Sequence, residues 1–229
     1  MNYDNFPFFI FNGIKSTNLG IIIKELPPIT KSEKNIDSIS ISGSNRILHI
    51  DNGTYKSKTY KVDCILNENA NINYIKTLLD STGILELSSE PGIEYRATVK
   101  NQIDFSKYLT YLKSFSITFE LDPIGYNKTA TVKTLSSSSN EFTVGGTADV
   151  YPSLVVNGIG KFSLNNVQVE VLESGITIDC ELMNCTKNGI NKNDKVILDV
   201  FPKLVVGTNT LTIISGVTSV EVTYKEGWL

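Results

Sequence analysis

Apolar and polar positions alternate along most of the chain with a period of two, the signature of strands that bury one face. The cleanest run is Phe115, Ile117, Phe119 and Leu121, interleaved with Ser116, Thr118 and Glu120. Tyr60, Val62, Cys64 and Leu66 repeat it. So do Tyr95, Ala97 and Val99, set against Glu94, Arg96, Thr98 and Lys100. Further strands are expected over Phe6–Phe11, Leu19–Leu26, Ile47–Ile50 and Ile84–Leu87, and around Ile36, Ile39 and Ile41, with turns at Asn12-Gly13, Asp51-Asn-Gly53 and Pro91-Gly92. One segment changes period. Ile72, Ile75, Leu78 and Leu79 fall at helical spacing and predict a helix near 71–82. Asn69 or Asn71 would cap its start and Gly83 would end it.

The pattern breaks at Asp122-Pro-Ile-Gly-Tyr126 and resumes as short, evenly spaced strands. Val167, Val169 and Val171 alternate, as do Ile176, Ile178, Cys180 and Leu182, and later Val220, Val222 and Tyr224. Turns are expected at Asn157-Gly158, Asn165-Asn166, Ser174-Gly175, Asn188-Gly189, Gly207-Thr-Asn209 and Ser215-Gly216. Such spacing reads as a sandwich or jelly roll. The expected class is therefore mainly β, with a β-rich domain over 1–127 carrying one α-helix and a β-sandwich over 128–229.

Composition narrows the function. The chain has 229 residues and a formal net charge of −3. That argues against a broad basic field for nucleic acid, because phosphate binding needs clustered Lys and Arg. No stretch approaches the roughly 20 apolar residues of a membrane helix. The start, Met1-Asn-Tyr-Asp-Asn-Phe-Pro, has neither the basic flank nor the apolar run of a secretory signal, so folding in a cytoplasm and no membrane contact are expected. Three cysteines, Cys64, Cys180 and Cys185, read as free thiols. If Cys180 and Cys185 lie on one continuous strand, their odd separation puts them on opposite faces, against a disulfide or a shared metal.

No catalytic constellation emerges. His49 is the single histidine, and it sits on the strand face opposite Leu48 and Ile50. A Ser-His-Asp or Cys-His arrangement would need it beside a nucleophile, and a histidine in such a strand setting is far more often structural. Glu68, Asp80, Glu86, Glu90, Asp179, Glu181, Asp194 and Asp199 are the carboxylates weighed for glycosidase work, and solvated strand faces account for them. Gly158-Ile-Gly160 lacks the helix that a phosphate loop requires. The chain is expected to be no enzyme, with no catalytic residue, metal or cofactor.

The order of motifs resembles the distal tail protein family of long-tailed phages and prophages of Gram-positive bacteria. In the front half the resemblance rests on Phe11-Asn-Gly-Ile-Lys-Ser16 with Leu19-Gly-Ile-Ile-Ile23, on Ile41-Ser-Gly43 with Gly53-Thr-Tyr55, on the helix with Gly83-Ile-Leu85, on Pro91-Gly92 with Tyr95-Arg-Ala97, and on Phe119-Glu-Leu-Asp-Pro123. In the back half it rests on Tyr151-Pro-Ser-Leu154, Asn157-Gly158, Ile176-Thr-Ile-Asp179, Asn193-Asp194, Phe201-Pro202, Gly207-Thr-Asn209 and Tyr224 to Trp228. The chain departs from the family at Gly43-Ser-Asn-Arg46, which has no second glycine.

The resemblance implies a tail-ring, tail-tube-like front domain and a galectin-like back domain. It also implies a homo-hexameric baseplate hub in the virion, assembled in the host cytoplasm. The ring would join the tail-tube protein to tail-tip (tail-associated) proteins, and DNA would cross its bore without sequence-specific binding. The outward domain would contact receptor-binding proteins. Arg46, His49 and Tyr55 cluster where the family's pattern is concentrated and are the ring-interface candidates. The alternative is a carbohydrate-binding adhesion module acting through the sandwich, for which Trp228 is the glycan-contact candidate.

Overall fold

The computed structural model describes residues 6–28, 30–67, 70–100, 106–109 and 112–229, side chains excepted at 106–109, 112 and 113. Asn69 and Glu68 lie outside the described residues. The chain forms two compact units, one over Met1–Gly125 with Leu229 and one over Tyr126–Trp228.

In the first unit the strands are β1 (Phe9–Phe11), β2 (Ile14–Lys15), β3 (Ile21–Glu25), β4 (Lys34–Ser40), β5 (Ile47–Tyr55), β6 (Lys58–Leu66), β7 (Thr82–Leu87), β8 (Ile93–Val99), β9 (Ser106–Leu109) and β10 (Leu112–Leu121). The main sheet runs β2-β1-β7-β8-β10-β6-β3, with β9 also on β10. β10 lies antiparallel to β6, setting Phe115 against Cys64, Ile117 against Val62 and Phe119 against Tyr60. All six side chains are buried, as the alternation requires. Phe119 also meets the rings of Phe9 and Phe11, at centroid distances of 5.4 and 5.6 Å. The Asn12-Gly13 turn, both residues at positive φ, joins β1 to β2.

The helix α1 spans Ile72–Leu79, shorter than its sequence pattern suggests. Asn71 caps it, its side chain accepting from the Tyr74 N–H at 3.1 Å. Ile75 and Leu79 are buried in the core, with Ile72 and Leu78 packed at its margin. Gly83 does not end it. Asp80 holds the C-cap, and Gly83 lies inside β7, where a Cβ would strike the Asn12 side chain. A glycine signal shared by a helix stop and a close backbone approach was resolved toward the second.

The strands of the second unit are β12 (Thr131–Leu135), β13 (Ser139–Val144), β14 (Ser153–Leu164), β15 (Val167–Val171), β16 (Ile176–Asp179), β17 (Asn184–Lys187), β18 (Ile190–Asn191), β19 (Val196–Leu198) and β20 (Gly207–Tyr224). The short β11 (Gly125–Asn127) and β21 (Gly227–Trp228) flank them in sequence. β14 and β20 are long, paired and bent. The first half of β14 pairs β16 and the last part of β20, which in turn pairs β12. The second half of β14 pairs β15 and the first part of β20, which pairs β13. The two halves thus belong to two layers. Leu154, Val156, Val220 and Val222 from one meet Phe162, Leu164, Val169 and Leu211 from the other in a single core.

Three turn expectations are corrected, two of them by the bend. Asn157-Gly158 and Ser215-Gly216 are irregularities inside β14 and β20, where the register shifts between Asn157 and Phe162. Gly158, Gly160 and Gly216 have positive φ. Gly207-Thr-Asn209 opens β20 instead of turning, and Asn209 is buried.

Two further expectations fail for one reason. β16 ends at Asp179, whose Oδ1 accepts from the Glu181 and Leu182 N–H groups at 3.1 and 2.9 Å and turns the chain. Leu182 is therefore 74% exposed instead of continuing the buried face. Cys180 and Cys185 sit on the two sides of this turn, both buried in the same core, not on opposite faces of one strand. Burial pushes the Cys180 thiol up to about 12, and Asp179 and Cys185 add to it.

Candidate functional site

β4 and β5 form a two-stranded sheet of their own. Cross-strand partners are Ser40–Ile47, Ile39–Leu48, Ser38–His49 and Asp37–Ile50. The alternation that elsewhere buries one face here divides two solvent-facing ones. Ile39, Leu48 and Ile50 share one with Asp37. Ser38, His49 and Ile47 share the other. Leu48 is 50% exposed and Ile47 55%, and Ile36, Ile39, Ile41 and Ile50 are exposed as well. An isolated hairpin is at best marginally stable in water, and this one carries an apolar stripe that water solvates poorly.

Polar contacts hold its shape. Lys34 Nζ lies 2.7 Å from Asp51 Oδ2, and Asn52 donates to Asp37 Oδ2 at 3.0 Å. Asp51-Asn-Gly53 is not the expected turn. It lies within β5, where the register against β4 shifts, Gly53 takes φ +69 and its N–H bonds Asp51 Oδ1 at 2.9 Å. A bulge here replaces the turn because both strands continue past it.

All three ring-interface candidates fall on this hairpin. Arg46 is exposed in the connection between β4 and β5, its N–H bonding Ser44 Oγ at 3.1 Å. His49 Nδ1 and Ser38 Oγ lie 3.0 Å apart. Tyr55 closes β5 opposite Lys34 and is half-buried. Near the hairpin's root, Lys58 sits 4.7 Å above the Tyr95 ring, and the Tyr95 hydroxyl donates to Glu90 Oε2 at 3.1 Å. Burial lowers the Lys58 pKa against the opposing pull of Glu90, and burial, then Glu90, raises that of Tyr95. Together with Thr30, Tyr60 and Leu121 they line a small cleft.

Trp228 occupies a different setting. It is half-buried and its indole N–H donates to Asn127 Oδ1 at 2.9 Å, while Asn127 Nδ2 donates to Glu226 Oε2 at 3.0 Å. Its donor is committed to the fold. Among the described residues, no three His, Cys, Asp or Glu side chains are grouped to hold a metal ion, and no helix is long and apolar enough to cross a membrane.

The architecture defines the class: two successive β-rich units, a sheet with one helix and a projecting hairpin, then a sandwich built on two bent strands. Residues 145–228 match the family model described as siphovirus-type tail component, C-terminal domain. The fold matches the crystal structure of SPP1 Dit (gp 19.1), described as a paradigm of the hub adsorption apparatus in phages infecting Gram-positive bacteria, with a TM-score of 0.78 and 14% identity over 97% of this chain and 99% of that one. No curated protein matches the chain. The family model supports the sequence resemblance to the distal tail protein family in the back domain, and the likeness of fold extends over both domains.

Proposed function

We propose that the chain is a structural hub of a phage tail tip and that its front domain closes into a ring of six copies. The observation that supports this most strongly is the fold likeness across nearly the whole of both chains, together with the tail-component match in the back domain. In this reading the chain belongs to the virion, is assembled in the host cytoplasm, and links tail tube to tail-tip proteins. It performs no chemistry. DNA crosses the bore without sequence-specific contact, and the sandwich serves receptor-binding proteins.

The hairpin supplies the means of assembly. Its occupant is a second copy of the chain, laid over Ile39, Leu48 and Ile50, with Arg46, His49 and Tyr55 at the margin. A ring needs a heterologous interface, in which one patch meets a different patch on the next copy. A projecting hairpin beside a separate sheet offers two such patches. Burying each half-exposed isoleucine or leucine contributes about 1 kcal/mol. Repeated at every junction of a closed ring, these contributions add up.

The test is absolute mass by light scattering across a concentration range, followed by negative-stain imaging. Six-fold rings, or a concentration-dependent shift to a hexamer, are expected. A chain that stays monomeric at high concentration with the tail-tube and tail-tip proteins supplied overturns the reading.

A further inference from the structure

The sandwich carries a surface that the hub reading does not use. Val150 and Leu204 form an isolated antiparallel bridge, with reciprocal N–H to carbonyl bonds of 3.0 and 2.8 Å, and both side chains are buried. Their sequence neighbours turn outward. Asp149 and Tyr151 come from one segment and Lys203 from the other. Lys203 Nζ donates to Asp149 Oδ2 at 2.8 Å, and the Val206 N–H approaches Asp149 Oδ1 at 3.4 Å. Tyr151 is 47% exposed. The antiparallel bridge sets Tyr151 across from Lys203, and the Lys203 pKa is raised by Asp149 first and then by Tyr151.

The loop that presents Lys203 is fixed from below. Asn209 is 0% exposed. Its Oδ1 accepts from the Val205 N–H at 2.9 Å and Asn165 Nδ2 at 2.6 Å, and its Nδ2 donates to the carbonyls of Val205 and Gly207 at 2.8 and 3.0 Å. Asn165 Nδ2 also donates to the Lys203 carbonyl at 3.1 Å. A buried amide with every bond satisfied holds its surroundings to one geometry. The surface above it is preorganised, so binding orders little.

The chemistry of that surface is specific. An exposed ring offers an apolar face with a polar tip. The carboxylate accepts hydrogen bonds and the ammonium donates them, and their charges cancel. A ligand that stacks one C–H face and carries several hydroxyls, each both donor and acceptor, matches all three groups. An ionic ligand would meet one partner of the pair with like charge.

We propose that Tyr151, Asp149 and Lys203 form a saccharide subsite for a neutral pyranoside, which stacks on the Tyr151 ring, donates a hydroxyl to Asp149 and accepts from Lys203. The site is open and shallow, so a single sugar binds with a Kd on the order of 1 mM, and repetition along a polysaccharide supplies the avidity. The proposal does not depend on the hub reading, which the mass measurement tests separately.

The test uses the full chain and four probes, the methyl glycosides of glucose, galactose, N-acetylglucosamine and rhamnose, read by saturation-transfer NMR. Transfer to the ring protons of one face of at least one glycoside is expected. Tyr151→Phe keeps the platform and should retain the signal. Tyr151→Ala should weaken binding by about tenfold or more, at unchanged melting temperature and mass. No transfer to any of the four probes, or transfer that survives Tyr151→Ala, overturns the proposal.

Discussion

Gly160 and Ser215 approach so closely that a Cβ on the glycine would lie 2.0 Å from the serine carbonyl oxygen. The reciprocal contact is as tight, since a Cβ on Gly216 would meet the Ile159 carbonyl oxygen at 2.0 Å. Two backbones here occupy the space that side chains would need, and this lets β14 and β20 pass together from one layer to the other.

Gly160→Ala should therefore destabilise the sandwich by roughly 2–4 kcal/mol, combining overpacking with a disallowed φ. The contrast is Gly189→Ala, at φ +76 but with open space around it, which should cost about 1 kcal/mol. Urea unfolding of both variants checks the difference. Equal losses would remove close approach as the reason for the glycine.

Asn209 anchors the loop over residues 203–207 through bonds to Val205 and Gly207. Asn209→Leu strands the Val205 N–H, takes one of two acceptors from the Asn165 amide nitrogen and should cost about 2–3 kcal/mol. Amide exchange should rise first at Val205, and that site-specific acceleration separates a lost network from a general loss of stability.

Glu173 bridges Lys187 at 2.8 Å and Lys192 at 3.0 Å. Hydrogen bonds from the two lysines hold its carboxyl down at about 2, from the usual 4.5. The group is depressed on folding, so its contribution is complete above the unfolded value and is lost as pH falls from about 4.5 through about 2. Glu173→Gln should flatten the acid limb of the melting-temperature profile in that window and leave the neutral region less changed. A profile as steep as the parent's would show that the acid loss arises elsewhere.

All three thiols are buried. Burial raises Cys64 and Cys180 to about 12 and Cys185 in the same direction. Since the thiolate is the reactive form, a disulfide reagent at pH 8 should label none of them in the native chain within minutes and all of them in denaturant. Fast labelling of one native thiol would mean that its part of the core opens readily.

Leu48→Lys with Ile39→Glu changes exposed positions only and sets opposite charges on directly paired residues. The folded monomer should keep its stability to within about 0.5 kcal/mol, while self-association weakens. Sedimentation at matched concentrations reads the second effect and thermal melting the first. Assembly unaffected by two new charges would place the contact away from this hairpin.

Much of the fold was legible because burial enforces alternation. Phe115 to Leu121, Tyr60 to Leu66 and Tyr95 to Ala97 face the core in the register their pattern demands. The errors cluster at glycine and asparagine. Asn12-Gly13 turns the chain, whereas Asn157-Gly158 and Asp51-Asn-Gly53 bulge it, and the local φ is positive in both cases. Only the partner strand distinguishes them, and a single sequence does not show the partner. The exposed hairpin escaped for the same reason, because alternation reports two unlike faces without saying that either one is covered. Tyr151, Asp149 and Lys203 are 54 positions apart at their extremes (203 − 149) and come together through one bridge that no local pattern encodes.

The shared strands also decide how the sandwich bears load. In a sandwich of independent sheets, a pull that separates the layers is resisted by side-chain contacts, which yield a few at a time. Here the same two polypeptide segments run through both layers. Parting them means tearing the β14–β20 ladder at its bend, where Gly158, Gly160 and Gly216 lock the backbones together. Mechanically the two layers are one piece, joined through the chain itself at that seam.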